Sequence, residues 1–258
     1  MSKDGKYLYC IIGETKETNF GSIGINNGEL RIISYKDISA VVSSTPVINF
    51  DRLDKKELTR HVTTHQKVNE EIMKDCDVVP MTFGIIAPSV DEVLRILEKV
   101  YLQFKTALKN ITGKAEFAVQ VWWDPKKLLE ELISTNPEIQ KLRKDLSLLG
   151  KLIAQKMEQK RQTFINDIQA SLGTLSYDFT SNKLSIDDEM IANFSFLIEK
   201  AKESELDKKM QELGKEYDGK LRFKYIGPMP PYSFVNINLG LGNFELVNEA
   251  RKLLGLGE

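Results

Sequence analysis

Tyr225-Ile226-Gly227-Pro228-Met229-Pro230-Pro231-Tyr232-Ser233-Phe234-Val235 places three prolines and a glycine within five residues, between aromatic and β-branched neighbours. Proline fixes φ and removes an amide donor, so no helix crosses this stretch. A strand over 221–226 runs into it, and the prolines are expected to leave the hydrogen-bond ladder at a sheet edge or in a rigid turn. Either X-Pro bond is free to be cis, because the trans preference there is only about 0.5–1 kcal/mol. Two readings stand side by side. One is a stiff connector whose aromatics cap a core. The other is a rigid docking surface for another protein, built from Tyr225, Pro228, Met229, Pro230, Pro231, Tyr232 and Phe234. A Pro-rich ligand for aromatic grooves is disfavoured, since the tyrosines and phenylalanine read as packing residues.

Upstream of that strand, a charged helix over 199–217 shows a narrow apolar face of Ala201, Leu206, Met210 and Leu213, and strands are expected over 175–179 and 190–198. Beyond the prolines a terminal helix is expected from Phe244 to Leu254. Before these elements, Pro125 to Ile133 reads as a short helix, and Asn136-Pro137 starts a longer one with proline at a favoured first position. Ile139, Leu142, Leu146, Leu149 and Ile153 make a coiled-coil-like seam that Met157, Phe164 and Ile168 then shift. Fewer than three clean heptads result. The stripe fits a helix packed on its own domain, with a seam for a partner helix as the alternative.

Nearer the start, Tyr7-Leu8-Tyr9-Cys10-Ile11-Ile12 is a continuous apolar run stopped by Gly13, the signature of a central strand. Strands at 22–25 and 30–33 flank Asn26-Asn27-Gly28-Glu29, which reads as a hairpin turn. Another strand follows over 38–42, after a turn at Lys36-Asp37. Leu58, His61, Val62, His65, Val68 and Ile72 then recur at helical spacing behind Asp51 or Asp54 as a cap. An extended segment over 77–86 bends at Pro80 and Gly84. Ser89 and Glu92 form a capping box for a helix carrying Val93, Leu97, Val100, Phe104 and Leu108. Ala115 to Trp123 is the next strand, alternating Phe117, Val119 and Val121. The expected architecture is α+β in two domains, 1–124 with a small sheet and two amphipathic helices, and 125–258 with a helical extension and a second sheet.

The 258 residues comprise 41% apolar and 28% charged types, an ordinary globular composition. Lys plus Arg total 36 and Asp plus Glu 37, leaving a net charge of −1, so no overall field attracts nucleic acid or an anionic membrane. No run of about eighteen apolar residues is present, and the N-terminus leads directly into a strand, so a cytoplasmic location is expected. Cys10 and Cys76 are too few for a disulfide framework and read as buried small hydrophobes.

Catalytic and cofactor signatures were sought residue by residue. His61 and His65, four apart on a helix, could grip one metal, but a third ligand and the glutamate of a zinc-protease helix are missing. His65 reads instead as a hydrogen-bonded histidine between helix and sheet. Gly21-Ser22-Ile23-Gly24 and Gly240-Leu241-Gly242 lack the spacing and lysine of a phosphate loop. No nucleophile elbow exists, and Asp187 and Asp188 read as solvated charge. Arg222-Phe223-Lys224-Tyr225 imitates a base-stacking platform, which keeps a nucleic-acid-binding module as the alternative function, against the neutral net charge.

Three motifs carry a resemblance. Tyr7-Leu8-Tyr9-Cys10-Ile11-Ile12, then His65-Gln66-Lys67-Val68-Asn69-Glu70 before Val78-Val79-Pro80-Met81-Thr82-Phe83-Gly84, then the proline stretch, together resemble the gas vesicle protein family that includes GvpL and GvpF. Departures from the family pattern are Cys10 for glycine, Gln66 for glutamate and Met229 for tryptophan. The resemblance implies a C-terminal domain of modified ferredoxin type, no enzymatic activity and no cofactor. It also implies a gas-vesicle-associated accessory or minor structural protein needed for assembly, whose partners are the hydrophobic shell protein and other accessory proteins. Tyr9, His65, Pro80, Phe83, Gly84 and Gly227 are the structural residues of its motifs.

Overall fold

In a computed structural model, residues 4–15, 20–141, 146–184 and 189–237 are described. The elements are β1 (Gly5–Gly13), β2 (Leu30–Tyr35), β3 (Ile38–Thr45), α1 (Lys55–Ile72), β4 (Val78–Pro80), β5 (Ile86–Ala87), α2 (Val90–Lys99) and α3 (Tyr101–Ile111), followed by β6 (Lys114–Trp123). Then come α4 (Pro125–Thr135), α5 (Pro137–Lys141), α6 (Leu146–Gly173), β7 (Ser176–Ser181), β8 (Met190–Glu199), α7 (Glu203–Glu216) and β9 (Leu221–Met229). The expected helix over 244–254 and the Asp187-Asp188 and Gly240-Gly242 sites lie outside the described residues. Two compact units result: one takes Met1–Glu116 and the chain from Gly227 onward, the other Phe117–Ile226. The expected 124/125 boundary leaves the whole proline stretch with the second unit, whereas its residues from Gly227 onward group with the first.

In the first unit the sheet order is β2-β3-β1-β4, with β5 also pairing β1. From Tyr7 to Ile12 β1 is apolar and buried because both its faces are covered. Tyr7, Tyr9, Cys10 and Ile12 join one core with Leu58, Val62, Val68 and Ile72 of α1. Leu8 and Ile11 join the other with Val93 and Leu97 of α2 and Phe104 and Leu108 of α3. Strand alternation lets β1 feed both cores, and a register shift between Leu8 and Cys10 against β3 places the consecutive Tyr9 and Cys10 in the same one. Asp54 caps α1 by accepting from the Glu57 N–H, and Ser89 caps α2 by accepting from the Glu92 N–H.

Three expectations change here. Residues 22–25 form no strand: Gly24 N–H donates to Gly28 O and Gly28 N–H to Ile25 O, closing a turn with Asn26 and Asn27 at positive φ. The hairpin is instead β2–β3, turning at Lys36. The single helix after Ser89 is two, broken at Val100, whose ψ of 20° interrupts the helical path.

In the second unit the strand order is β7-β8-β6-β9, with β7 and β8 antiparallel. Phe164, Ile168 and Leu172 of α6 and Leu206 and Leu213 of α7 are buried. From 115 to 121, β6 is buried at every position, so the alternation of Phe117, Val119 and Val121 does not divide an inner from an outer face. The helix expected from Glu199 begins at Glu203, because β8 runs through Glu199 and a short 3-10 turn follows. β9 continues through the cis Gly227–Pro228 peptide to Met229. It tolerates the proline there because it is the last strand in the sheet order, where a missing amide donor breaks no interior ladder.

Candidate partner-binding site

Tyr9 and His65 organise the first core. The carbonyl of Met81 can only accept, so His65 Nε2 carries the proton and donates to it at 3.1 Å. Nδ1 is then an acceptor for the Tyr7 hydroxyl at 3.0 Å, and that hydroxyl in turn accepts the Gly84 N–H at 3.0 Å. Gly84 sits at φ 92°, a conformation that favours glycine and aims its amide at Tyr7. Burial holds His65 down to about 4, and the Met81 carbonyl opposes it only partly. Burial likewise pushes the Tyr7 hydroxyl well above its ordinary range. Tyr9 accepts the Ile25 N–H at 2.7 Å and shares a hydrogen bond with Ser43 at 2.8 Å. Phe83 packs edge-on against Phe50 and His65, and Pro80 of β4 pairs with Cys10 of β1. The motif residues Tyr9, His65, Pro80, Phe83 and Gly84 thus meet in one aromatic, hydrogen-bonded core.

The proline stretch divides into an exposed and a buried part. Gly227 and Pro228 are exposed, Met229, Pro230 and Pro231 are buried, and Tyr232, Ser233 and Phe234 are half-buried. A short turn is built in, since Tyr232 N–H donates to Pro230 O and Phe234 N–H to Pro231 O. The Tyr232 hydroxyl accepts from Asn69 Nδ2 at 2.9 Å, and its ring lies 6.5 Å from that of His65. Ser233 donates through both N–H and Oγ to the Glu116 carboxylate, at 2.8 and 2.6 Å. In the second unit Tyr225 stacks on Phe117 at 5.9 Å. Its buried hydroxyl is raised by desolvation and by Asp207 and Glu203.

Other sequence candidates are placed as follows. His61 packs edge-on to Phe50, and no group of three or more metal-ligating side chains exists among the described residues. Cys10 is buried and its thiol pushed up by burial, while Cys76 is half-buried. Arg222 lies over the Trp122 ring at 4.3 Å, and Arg222 and Lys224 alternate with half-buried Phe223 and Tyr225, as strand pleating requires. A cleft of about 830 Å³, lined by Asp37, Asp75, Asp77, Lys105 and Lys109 among others, had no sequence signal because its walls come from separate turns and α3. Within it, Lys105 and Tyr101 donate to Asp37 and hold its carboxyl down to about 2.

Three comparisons bear on this geometry. Residues 5–236 match the family model described as gas vesicle synthesis protein GvpL/GvpF. Among similar proteins are gas vesicle protein F1 of Halobacterium salinarum, 28% identical over 91% of this chain and 94% of its own, and gas vesicle protein F of a Streptomyces species, 27% identical over 89% and 98%. Among solved structures, gas vesicle protein GvpF from an Anabaena species superposes with a TM-score of 0.76 at 20% identity, covering 91% of this chain and 97% of that one. GvpF from Microcystis aeruginosa gives 0.74 at 21%, covering 90% and 99%.

Proposed function

Because the chain belongs to the gas vesicle synthesis protein GvpL/GvpF family, we propose that it is a non-enzymatic accessory or minor structural protein of gas vesicles. It works in the cytoplasm and at the vesicle, in assembly, by binding the hydrophobic shell protein and other accessory proteins. The family match over residues 5–236 carries this reading. Physical sense supports it: an aggregation-prone shell subunit needs its apolar surface covered until it joins the wall. The second unit is read here as a ferredoxin-like βαββαβ unit, since β6, the helices α4 to α6, β7, β8, α7 and β9 follow that order with β6 and β8 central. The α4–α6 segment is its helical extension.

Within the first unit's part of the proline stretch the contact surface narrows to what solvent reaches: Pro228, with the part-exposed edges of Tyr232 and Phe234. Met229, Pro230 and Pro231 set its shape. Co-expression with the shell protein and capture on the tagged, full-length chain tests the reading. Stable capture, reduced at least about tenfold by Phe234→Asp in a variant with unchanged thermal unfolding, is the expected result. Full capture by that variant removes the proposed surface, and no capture by the parent chain removes the shell protein as its partner.

A further inference from the structure

Residues 229–237 close the first unit from a distance. Tyr232 reaches Asn69 across 163 positions of chain, and Ser233 reaches Glu116 across 117. Both receiving side chains are fully buried, at 0% exposure. Val235 and Ile237 pack against the second core of the sheet, and Met229 is 4% exposed. The segment is also pre-shaped. Its prolines bring no amide that needs a partner, and its two turn hydrogen bonds are internal. Such a piece docks and leaves without first having to fold.

The closed state is not fully satisfied. Asn69 Nδ2 donates to Tyr232, but Asn69 Oδ1 is buried with no hydrogen-bond partner among the described residues. A buried acceptor left unmade favours the open form, where water reaches it.

We propose that residues 229–237 form a strap that opens and shuts as one unit, uncovering Asn69, Glu116 and the edge of His65 while the second unit stays folded. Contacts distant in sequence and partly unsatisfied make a low-lying local opening of this kind. The inference stands on this geometry alone and is independent of the shell-binding reading.

Hydrogen exchange on the full-length chain at neutral pH tests it, comparing the parent with Tyr232→Phe and Glu116→Gln. Each variant weakens one pin, so in either one exchange is expected to rise about tenfold together at residues 232–235, the Ser233 amide rising in Tyr232→Phe although its own Glu116 pin is intact. Residues 190–198 and 206–213 keep their parental rates. No change at Ser233 in Tyr232→Phe, or a rise at Ser233 alone in Glu116→Gln, would make the two pins independent and overturn the proposal, as would an equal rise in 190–198. Should Glu116→Gln fail to fold, the urea dependence in the parent decides. A shallow slope shared across 232–235 supports the strap, and a slope equal to that of 190–198 contradicts it.

Discussion

His65 is the residue on which most of the first core converges, and its chemistry makes a pH dependence. Folded His65 is neutral down to about 4, whereas an unfolded histidine takes its proton near 6.5. Between those values the unfolded chain binds more protons, so stability is complete above about pH 6.5 and falls as pH drops towards 4. The loss amounts to about 3 kcal/mol once both forms are titrated. His61, also lowered by burial and by Arg60, acts in the same direction. Replacing His65 with leucine strands the Met81 carbonyl and the Tyr7 hydroxyl and is expected to cost about 2–4 kcal/mol at pH 7.5. Urea unfolding of parent and His65→Leu at pH 7.5 and 4.5 checks both points. The parent should lose more stability between the two pH values than the variant does. Equal losses would place the acid sensitivity elsewhere.

At the scale of elements, α6 divides. Its buried residues, Phe164, Ile168 and Leu172, all lie in the C-terminal part, while Leu146 and Leu148 are exposed at 79% and 51%. Ile168→Ala is therefore expected to cost about 2–4 kcal/mol and Ile153→Ala, at a half-buried position, less than about 1.5 kcal/mol. Comparable costs in urea unfolding would mean that the stripe is buried along its whole length. What the sequence revealed about elements follows how local each cause is. Asp54, one of the two caps expected for α1, and Ser89 cap their helices through backbone groups three residues on, so those two helix starts were legible. The doubly covered β1 was legible from its unbroken apolar run. The turn at Lys36-Asp37 between β2 and β3 was legible too, whereas the hairpin expected at 26–29 was not realised, because Asn26 and Asn27 close a local turn with no strand before it. The break at Val100 was hidden by an apolar stripe that continues across it. Nor did any local pattern show that Asn69 and Glu116 hold the proline stretch, since both partners lie more than a hundred residues away. That stretch reads from sequence as an exposed docking turn or a stiff cap. In the structure most of it is cap, with Pro228 left to solvent.

For the whole molecule, the near-neutral charge gives no long-range attraction to nucleic acid, and no helix among the described residues is long and apolar enough to cross a membrane. Membership of the gas vesicle synthesis protein GvpL/GvpF family is what supports the proposed role in vesicle assembly. The most direct measurement is vesicle formation in cells carrying the gas vesicle gene cluster with and without this chain, read as light scattering that vanishes when pressure collapses gas-filled bodies. Removing the chain is expected to abolish the pressure-sensitive signal, and supplying the full-length protein in trans should restore it. An undiminished signal in its absence would contradict an assembly role.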